Sequence, residues 1–420
     1  MNAVFFSVPY WGHINTNVAL IKELLDRGIH LTIFGNIKHF SFLAGYKNFD
    51  IKPYPDYIEA FYVTNALDGS DFNAPEYQYY SNLYDMNIIQ ARDYISHDIS
   101  VRFFSEIQVT IKEICPKIII YDTYAFFVPK ILSEFNIPHI ELNSSVWSPE
   151  ELYKSDSWIE FLTDIVTKEA RNSPSVDEIQ SIVRKANRMR KKFEYICRDS
   201  VQNENTQYAY HCESLQDEFL LVAKPKSYLG FDMSKKSAEP IKSVNDGCIY
   251  VSRGTMTNAY NIKLLKATID SLVKIRVPIT VSFGGCKTAQ SEILQGGLPD
   301  NITGELYTEQ SKILEHTSVF ITHGGITGVR EAILNLTPMI IIPANFSDYQ
   351  TGKSLEKAHA GILIKNRPLQ REEIEDKINQ ILSNWNDYLI GVKALKDQLQ
   401  NQWASNGIIN MLDNHLLRLY

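Results

Sequence analysis

A histidine followed by two glycines, His323-Gly324-Gly325, stands directly after an apolar run with the pattern of a strand, 318–322. The next residues, 327–335, have the pattern of a helix, so the chain passes from strand to helix at the glycines. Glycine lets the backbone come close to a ligand, a helix N-terminus presents N–H groups without helical partners, and an imidazole adds a donor. This combination predicts an anion site.

Glu331 lies one helical turn beyond these glycines. A carboxylate there could accept hydrogen bonds from sugar hydroxyls, while the helix N-terminus holds a phosphate group. A diphosphate joined to a ribose satisfies both positions. We therefore expect a nucleotide as the ligand, and a nucleotide-sugar before other nucleotides.

A second pair of candidate residues stands in the N-terminal half. His13 lies in the segment 9–15 after a short apolar strand, and Asp122 follows a β-branched run, 117–121. Ligand sites of open α/β sheets lie beyond the carboxyl ends of the strands, so both side chains belong to one rim if the strands share a sheet. A histidine whose imidazolium is stabilised by a carboxylate can act as a general base. Each residue alone has an ordinary structural explanation, but the pair favours catalysis.

Strand and helix patterns alternate along both halves of the chain. The predicted strands are 4–8, 30–34, 117–121, 138–142, 248–252, 278–283, 319–322 and 339–342, and the predicted helices are 17–27, 128–135, 259–275, 313–316 and 327–335. Strands separated by helices of this length imply parallel sheets with helical crossovers. The sequence therefore predicts an α/β protein with two similar halves.

The length of 420 residues predicts two domains of ~200 residues each. A stretch rich in Lys, Ser, Gly and Pro predicts a linker at 224–245, between an N-terminal domain, 1–223, and a C-terminal domain, 246–420. It stays open whether the last helix packs back on the N-terminal domain. The net charge of −7 offers no long-range attraction for nucleic acid or anionic membranes.

Several classes of protein are disfavoured by what the sequence lacks. No uninterrupted apolar stretch approaches the ~18 residues of a membrane span, and the five cysteines are scattered without a CxxC pair. These features fit a reducing cytoplasm. The segment 9–15 has one glycine instead of G-x-G-x-x-G, which disfavours a nicotinamide or flavin cofactor. We expect neither a bound cofactor nor a metal ion, since no D-x-D stands near the predicted anion site.

Together these residues resemble the nucleotide-sugar-dependent glycosyltransferases of family 1, especially the bacterial macrolide and natural-product type. The family's opening G-H-x-N-P is matched by Gly12-His13-Ile14-Asn15, with Thr16 where proline is usual. Its strand-end aspartate is matched by Asp122, and its S-x-G-T turn by 252–255, with Arg253 in place of an apolar residue. The likeness covers most of the chain and implies the GT-B fold, two facing Rossmann-like domains with parallel sheets.

The family's donor segment reads aromatic-V-P-Q and then H-G-G-x-N-S-x-x-E-A, and it is matched by 307–310 and 323–332. The resemblance implies that Tyr307 stacks on the base, that Gln310 approaches it and that Glu331 binds the ribose. The residues that it assigns to the diphosphate and its surrounding turns are Ser252, Gly254, Thr255, His323, Gly324, Gly325, Thr327 and Gly328.

Two departures concern the donor. Glu309 replaces the proline of the base pocket, and the family's sugar-reading D/E-Q pair, counted from Pro343, falls on Ser347 and Asp348. Gln350 could take part only if the loop is shifted. The choice of sugar and the choice between UDP and TDP therefore stay open.

The resemblance implies an inverting, metal-independent hexosyltransferase with His13 as base and Asp122 as its partner. We expect an apolar or aromatic natural-product acceptor with a hydroxyl nucleophile, the open alternatives being an amine or an aromatic carbon. The residues expected to contact it are Tyr10, Trp11, Phe126 and Phe127. The aromatic-rich segment 56–84 either lines this pocket or fills a core, and the basic segment 184–192 is expected to be a solvated helix face.

Two alternatives remain. One is a GT-B enzyme that acts on a lipid-linked or sugar substrate. The other is a non-catalytic nucleotide-sugar-binding partner of another transferase, which the altered sugar-reading pair favours and the presence of both His13 and Asp122 opposes.

Overall fold

Two parallel β-sheets, each flanked by helices, form the frame of the molecule, so the predicted α/β class is confirmed. The computed structural model describes residues 1–9, 11–59, 88–144, 160–161, 207–210, 212–215, 227–229, 247–254, 259–404 and 407–416. None of the helices in these ranges is both long and apolar enough to cross a membrane.

The first sheet has seven strands in the order β3-β2-β1-β4-β5-β6-β7, and all neighbours are parallel. The strands are β1 (Asn2–Phe6), β2 (His30–Phe34), β3 (Phe49–Lys52), β4 (Ile118–Asp122), β5 (His139–Asn143), β6 (Gln207–Ala209) and β7 (Ser227–Tyr228), and the helices are α1 (Trp11–Asp26), α2 (Ile88–Ile114) and α3 (Val128–Phe135). Every residue of β4 is buried, as expected of a β-branched strand covered on both faces by helices.

The second sheet has six strands in the order β10-β9-β8-β11-β12-β13, again all parallel. The strands are β8 (Cys248–Ser252), β9 (Ile279–Ser282), β10 (Ile302–Glu305), β11 (Thr317–Thr322), β12 (Met339–Ile341) and β13 (Gly361–Leu363). The helices are α4 (Ala259–Ser271), α5 (Lys287–Leu294), α6 (Gln310–Leu314), α7 (Ile326–Leu334), α8 (Phe346–Lys357), α9 (Arg371–Ser383), α10 (Trp385–Ala404) and α11 (Gly407–Leu416).

The last described helix, α11, packs on the core of the first sheet. Its buried side chains Ile408, Met411 and Leu412 lie in one apolar cluster with residues of β1, β2 and α1. Arg27, which directly follows α1, also forms an ion pair with Asp413. The chain therefore returns to its N-terminal half at its end.

The boundary region between the halves is only partly described. Ser227 and Tyr228, inside the predicted linker 224–245, form the last strand of the first sheet, so that sheet extends past residue 223. Residues 230–246 lie outside the described part of the chain.

Helix α1 begins at Trp11, six residues before the predicted start at 17, so most of the predicted turn is helix. The segment contains Thr16 instead of a proline, and the Thr16 hydroxyl donates to the carbonyl of Gly12 one helical turn back. The side-chain amide of Asn17 donates in the same way to the carbonyl of His13. His13 therefore lies in the first turn of α1.

Each sheet has one place where the strand order reverses. In the first sheet β1 lies beside β4, and in the second β8 lies beside β11. Crevices for ligands form at such switch points, outside the carboxyl ends of the two strands. Of the predicted site residues, His13 comes after β1 and Asp122 ends β4. Gly254 comes after β8, and His323 comes after β11.

Candidate functional site

At the first switch point the structure brings His13 and Asp122 together. The Nδ1 atom of His13 lies 2.9 Å from Oδ2 of Asp122, across the neighbouring ends of β1 and β4. The side chain of His13 is 17% exposed and that of Asp122 is 1% exposed. A buried carboxylate thus supports an imidazole that still reaches the surface.

The carboxylate of Asp122 is held from several sides. Its Oδ2 atom also accepts a hydrogen bond from the Ser144 hydroxyl at 2.6 Å, and its Oδ1 atom accepts from the backbone N–H of Tyr124 at 2.9 Å. These bonds satisfy a carboxylate that burial alone would disfavour. These contacts fix the position of the Asp122 carboxylate, so it can orient the imidazole of His13.

The contact with Asp122 assigns the two nitrogen atoms of His13 to different tasks. With Nδ1–H donated to the carboxylate, Nε2 is the atom that can accept a proton. The ring of Tyr124 meets the imidazole edge-on, with ring centroids 4.8 Å apart at 75°. Sequence reasoning missed Tyr124 and Ser144. Ser144 directly follows β5, so its place at the end of a strand next to β4 was the available signal.

At the second switch point, glycine turns pack against His323. Gly254, after β8, has φ +72°, and a Cβ atom there would lie 2.9 Å from Cε1 of His323. The Ser252 hydroxyl accepts a hydrogen bond from the N–H of Gly254 and supports this turn. Thr255 lies outside the described residues. Glycine is required here for two reasons. A Cβ atom would clash with the imidazole of His323, and residues other than glycine disfavour a φ of +72°.

The charge around His323 differs from that around His13. Burial lowers the pKa of His323 to about 3, and the nearby positive charge of Arg253 contributes to this decrease. The Arg253 side chain is itself buried, with hydrogen bonds to the side chain of Asn261 and to the carbonyl of Ile342. His323 is therefore neutral near pH 7 and can offer one ring N–H to an anion.

The N-terminus of α7 completes an anion-binding arrangement. Gly324 has φ +102°, and Gly325 is the N-cap residue of the helix without a side-chain cap hydrogen bond. A Cβ atom on Gly324 would lie 3.0 Å from the carbonyl oxygen of Asp348. Gly328 and Thr327 belong to the first turn of the helix, where backbone N–H groups lack helical acceptors. The turn thus presents donors and a positive dipole end together.

Two of the residues expected around the nucleoside, Gln310 and Glu331, are in contact with each other. The Gln310 side-chain amide donates to the carboxylate of Glu331 at 2.8 Å, and Tyr250 donates to Gln310 Oε1 at 3.4 Å. Tyr307 is 63% exposed, so its ring is accessible to a stacking partner. Glu309, which stands where the family has proline, pairs with Lys312 on the surface.

The segment expected to read the sugar is folded largely into the protein. The Asp348 carboxylate accepts a hydrogen bond from the N–H of Ala344, and burial raises its pKa to about 7. Ser347 is partly exposed, and Gln350 is fully buried. The carboxylate of Asp348 is thus engaged with its own loop, while its backbone lies against Gly324.

The expected acceptor residues are only partly described, and one prediction was wrong. Tyr10 and the Trp11 side chain lie outside the described part, and Phe126 is half-buried. Phe127 is fully buried and its ring packs against those of Phe6, Tyr54 and Phe103. This ring belongs to the core because aromatic side chains surround it, so it offers no surface to an acceptor. Residues 60–87 and 184–192 also lie outside the description.

The two switch points face each other. The hydroxyl of Thr327, in the first turn of α7, donates to the carbonyl of Gly12, next to His13, at 3.3 Å. The first turn of α1, which carries His13, therefore lies against the first turn of α7. Within the described ranges, His, Cys, Asp and Glu form no group of three or more that could hold a metal ion.

Comparison with known proteins identifies relatives for both the sequence and the fold. The family model described as UDP-glucoronosyl and UDP-glucosyl transferase matches residues 216–389. The uncharacterized UDP-glucosyltransferase YojK of Bacillus subtilis is 20% identical over 393 residues, which cover 91% of this chain and 90% of YojK. The NDP-glycosyltransferase YjiC of the same organism is 20% identical over 399 residues, covering 94% of this chain and 92% of YjiC.

Solved structures share the fold along nearly the whole chain. The glycotransferase of kitacinnamycin superimposes with a TM-score of 0.69 at 15% identity, covering 99% of this chain and 98% of that one. The spinosyn rhamnosyltransferase SpnG in complex with thymidine diphosphate gives a TM-score of 0.63 at 14% identity, covering 98% of this chain and 100% of the other. At this identity the likeness establishes the fold.

Proposed function

This chain is a glycosyltransferase of the GT-B fold that uses a nucleotide-sugar donor, and we propose that it transfers a hexose with inversion to a hydroxyl group of an apolar or aromatic acceptor. The observation that carries the proposal is the 2.9 Å contact between His13 Nδ1 and Asp122 Oδ2. Gly12, the residue before His13, accepts a hydrogen bond from Thr327 in the first turn of α7, which supports placing the base near the donor. We assign acceptor binding to the N-terminal half and donor binding to the C-terminal half.

The proposed base is Nε2 of His13. It removes the proton of the acceptor hydroxyl while the oxygen attacks the anomeric carbon from the face opposite the leaving diphosphate. Asp122 stabilises the imidazolium that forms, and Ser144 and Tyr124 hold Asp122 in place. General-base catalysis of this kind contributes about 10²–10⁴ in rate.

The proposed stabilisation of the leaving diphosphate comes from the second switch point. The first N–H groups of α7 and the neutral imidazole of His323 supply donors, and these are fixed before the reaction begins. Arg253 adds a buried positive charge beside His323. Preorganised donors of this kind stabilise developing negative charge without rearrangement. We propose that this set acts without a metal ion.

The proposed donor carries either UDP or TDP. The curated relatives include UDP-glucosyltransferases, whereas SpnG was solved with thymidine diphosphate. The exposed ring of Tyr307 can stack on either pyrimidine. SpnG has also been solved with spinosyn aglycone, a neighbour's ligand that supports an apolar acceptor here.

Thermal unfolding with UDP, TDP, UDP-glucose and TDP-glucose tests the donor site first. A ligand at 100 times its dissociation constant adds about 2.7 kcal/mol to the free energy of unfolding. We expect one base to stabilise the chain selectively. Equal melting temperatures with and without all four nucleotides would contradict the assignment of 323–331.

Transfer by the purified chain alone tests the catalytic proposal. The donor that binds is incubated with a panel of apolar and aromatic alcohols, and the anomeric configuration of the product is read by NMR. We expect inversion, and loss of product with His13→Ala. His30→Ala is the matched control, because His30 contacts Asp50 at 2.8 Å in an exposed pair away from the cleft. Donor binding without any transfer or donor hydrolysis would favour a non-catalytic partner instead.

A further inference from the structure

Arg330 is buried completely on the second turn of α7 and connects the two halves of the molecule. Its Nη1 atom donates to the carbonyl of Tyr210, which follows β6, at 2.7 Å. Its Nη2 atom donates to the hydroxyl of Thr16 on α1 at 2.5 Å. A single guanidinium from the donor helix therefore binds two elements of the first domain.

The same side chain touches both hydroxyl groups that hold the Gly12 carbonyl. Thr16 donates to that carbonyl at 2.8 Å, and Thr327 donates to it at 3.3 Å. Arg330 Nη2 donates to Thr16 and also lies 3.4 Å from the Thr327 hydroxyl. Each hydroxyl accepts a hydrogen bond from the arginine and donates one to the carbonyl. Hydrogen bonds linked in series in this way strengthen one another.

Helices α1 and α7 pack closely, so this hydrogen-bond network fixes the distance between them. A Cβ atom on Gly12 would lie only 3.2 Å from the Thr327 hydroxyl oxygen, so α1 and α7 meet at the glycine. His13 follows Gly12 directly, and the anion-binding turn precedes Arg330 on α7. The position of the base relative to the diphosphate depends on how these two helix starts are joined.

Stability alone is a poor explanation for a buried guanidinium. Burial lowers the pKa of Arg330 to about 10, which reflects the cost of removing its charge from water. Replacing buried ionic groups by well-packed apolar side chains is often neutral or stabilising. The planar fork of arginine does, however, fix direction, because its donors have a set geometry.

We propose that Arg330 is a positioning residue, which joins the donor helix to the base helix through Thr16, Thr327 and the Gly12 carbonyl and so holds His13 at the distance that transfer requires. The proposal rests on the proposed function. Thr16, which stands where the family has proline, has a role in it that proline could not take, since proline has no hydroxyl.

Steady-state kinetics of four variants test this role. Arg330→Met should lower kcat by about 10²-fold with little change in the donor KM, because small displacements of reacting groups have effects of this size. Thr16→Val removes only the bridging hydroxyl and should lower kcat about 10-fold. Thr16→Ser should restore most of it. The control is Arg27→Met, which removes an arginine contact between the residue after α1 and Asp413 in the C-terminal half, at the far end of the helix from Gly12.

The double variant separates positioning from simple packing. Arg330→Met with Thr16→Val should have the kcat of Arg330→Met alone, because both changes break one network. If Arg330→Met melts at a lower temperature than the wild type but keeps the wild-type kcat and KM while folded, the proposal is overturned. If Arg330→Met does not fold, equal kcat values for Thr16→Val and Thr16→Ser would overturn it. Absence of transfer by the wild-type chain would instead contradict the proposed function, and this proposal with it.

Discussion

The two switch points carry the same residue type after a central strand, but in opposite electrostatic surroundings. His13, beyond β1, is hydrogen-bonded to the buried carboxylate of Asp122. His323, beyond β11, lies beside the buried guanidinium of Arg253, and its pKa falls to about 3. Burial beside a cation keeps His323 neutral.

Under the proposed function, one fold uses two histidines for two tasks. An imidazole that gains a proton during the reaction needs a negative partner. An imidazole that donates a hydrogen bond to a phosphate needs one N–H and no titration. Asp122 is the last residue of β4, which lies beside β1. Arg253 follows β8, which lies beside β11.

The largest effect is expected from removal of the first imidazole. His13→Ala should lower kcat by about 10²–10⁴-fold, because general-base catalysis is lost. Donor affinity, measured by calorimetry, should stay near the wild-type value. His30→Ala should keep full activity. A similar loss in both variants would mean that the His13 effect is structural.

Replacing the carboxylate should make the first site more like the second. Asp122→Asn keeps the shape of the side chain but removes the charge that stabilises the imidazolium, so kcat should fall by roughly 10²-fold or more. Ser144→Ala, which leaves the charge in place and removes one hydrogen bond to Asp122, should have a smaller effect. The ranking would be broken if Ser144→Ala were the more damaging change under single-turnover conditions.

Removal of the second imidazole should weaken donor binding at every pH to the same extent. His323→Ala removes the proposed hydrogen bond to the charged diphosphate, a loss of about 1.5–3 kcal/mol in binding free energy. Since the lowered pKa keeps His323 neutral, the ratio of variant to wild-type dissociation constants for the nucleotide-sugar should be constant from about pH 5.5 to about 8. A ratio that rises steeply below pH 7 would indicate a protonated His323 in the complex.

The last prediction concerns the pH dependence of folding stability at Asp348, close to the same cation. Its folded-state pKa is raised to about 7, so the native state binds more protons than the unfolded state between the ordinary aspartate value and about 7. The resulting stability is complete below the unfolded pKa and is lost as pH rises through the folded pKa, by at most about 1.4 kcal/mol for each step of one in pH. Asp348→Asn should remove this dependence from urea-unfolding curves measured between pH 4 and 8. Parallel wild-type and variant curves would contradict the raised pKa.

The sequence was most informative where the chemistry is local. Strand patterns ending in His-Gly-Gly or in aspartate located strand ends around the cleft, because side-chain period and glycine content are properties of short segments. The predicted start of α1 was wrong by six residues. The segment 9–15 was interpreted as a turn, but most of it is helical. Phe127 was assigned to the acceptor because aromatic residues serve cores and pockets alike.

Contacts between distant residues could not be predicted in this way. Ser144 reaches Asp122 because β5 lies beside β4, and Arg330 reaches Thr16 across 314 residues of sequence. No periodicity in a short window carries this information. The burial of Asp348 was unpredictable for the same reason, since it depends on how its loop packs against the glycine turn.

By itself, the sequence determined that parallel sheets form, that a histidine stands at the end of a central strand in each half, and that glycines open the second site. Only the tertiary structure decided which histidine meets a carboxylate and which a guanidinium. The reason is physical: strand–helix periodicity is a local property, whereas the electrostatic partner of a side chain is set by the strand that hydrogen-bonds alongside it.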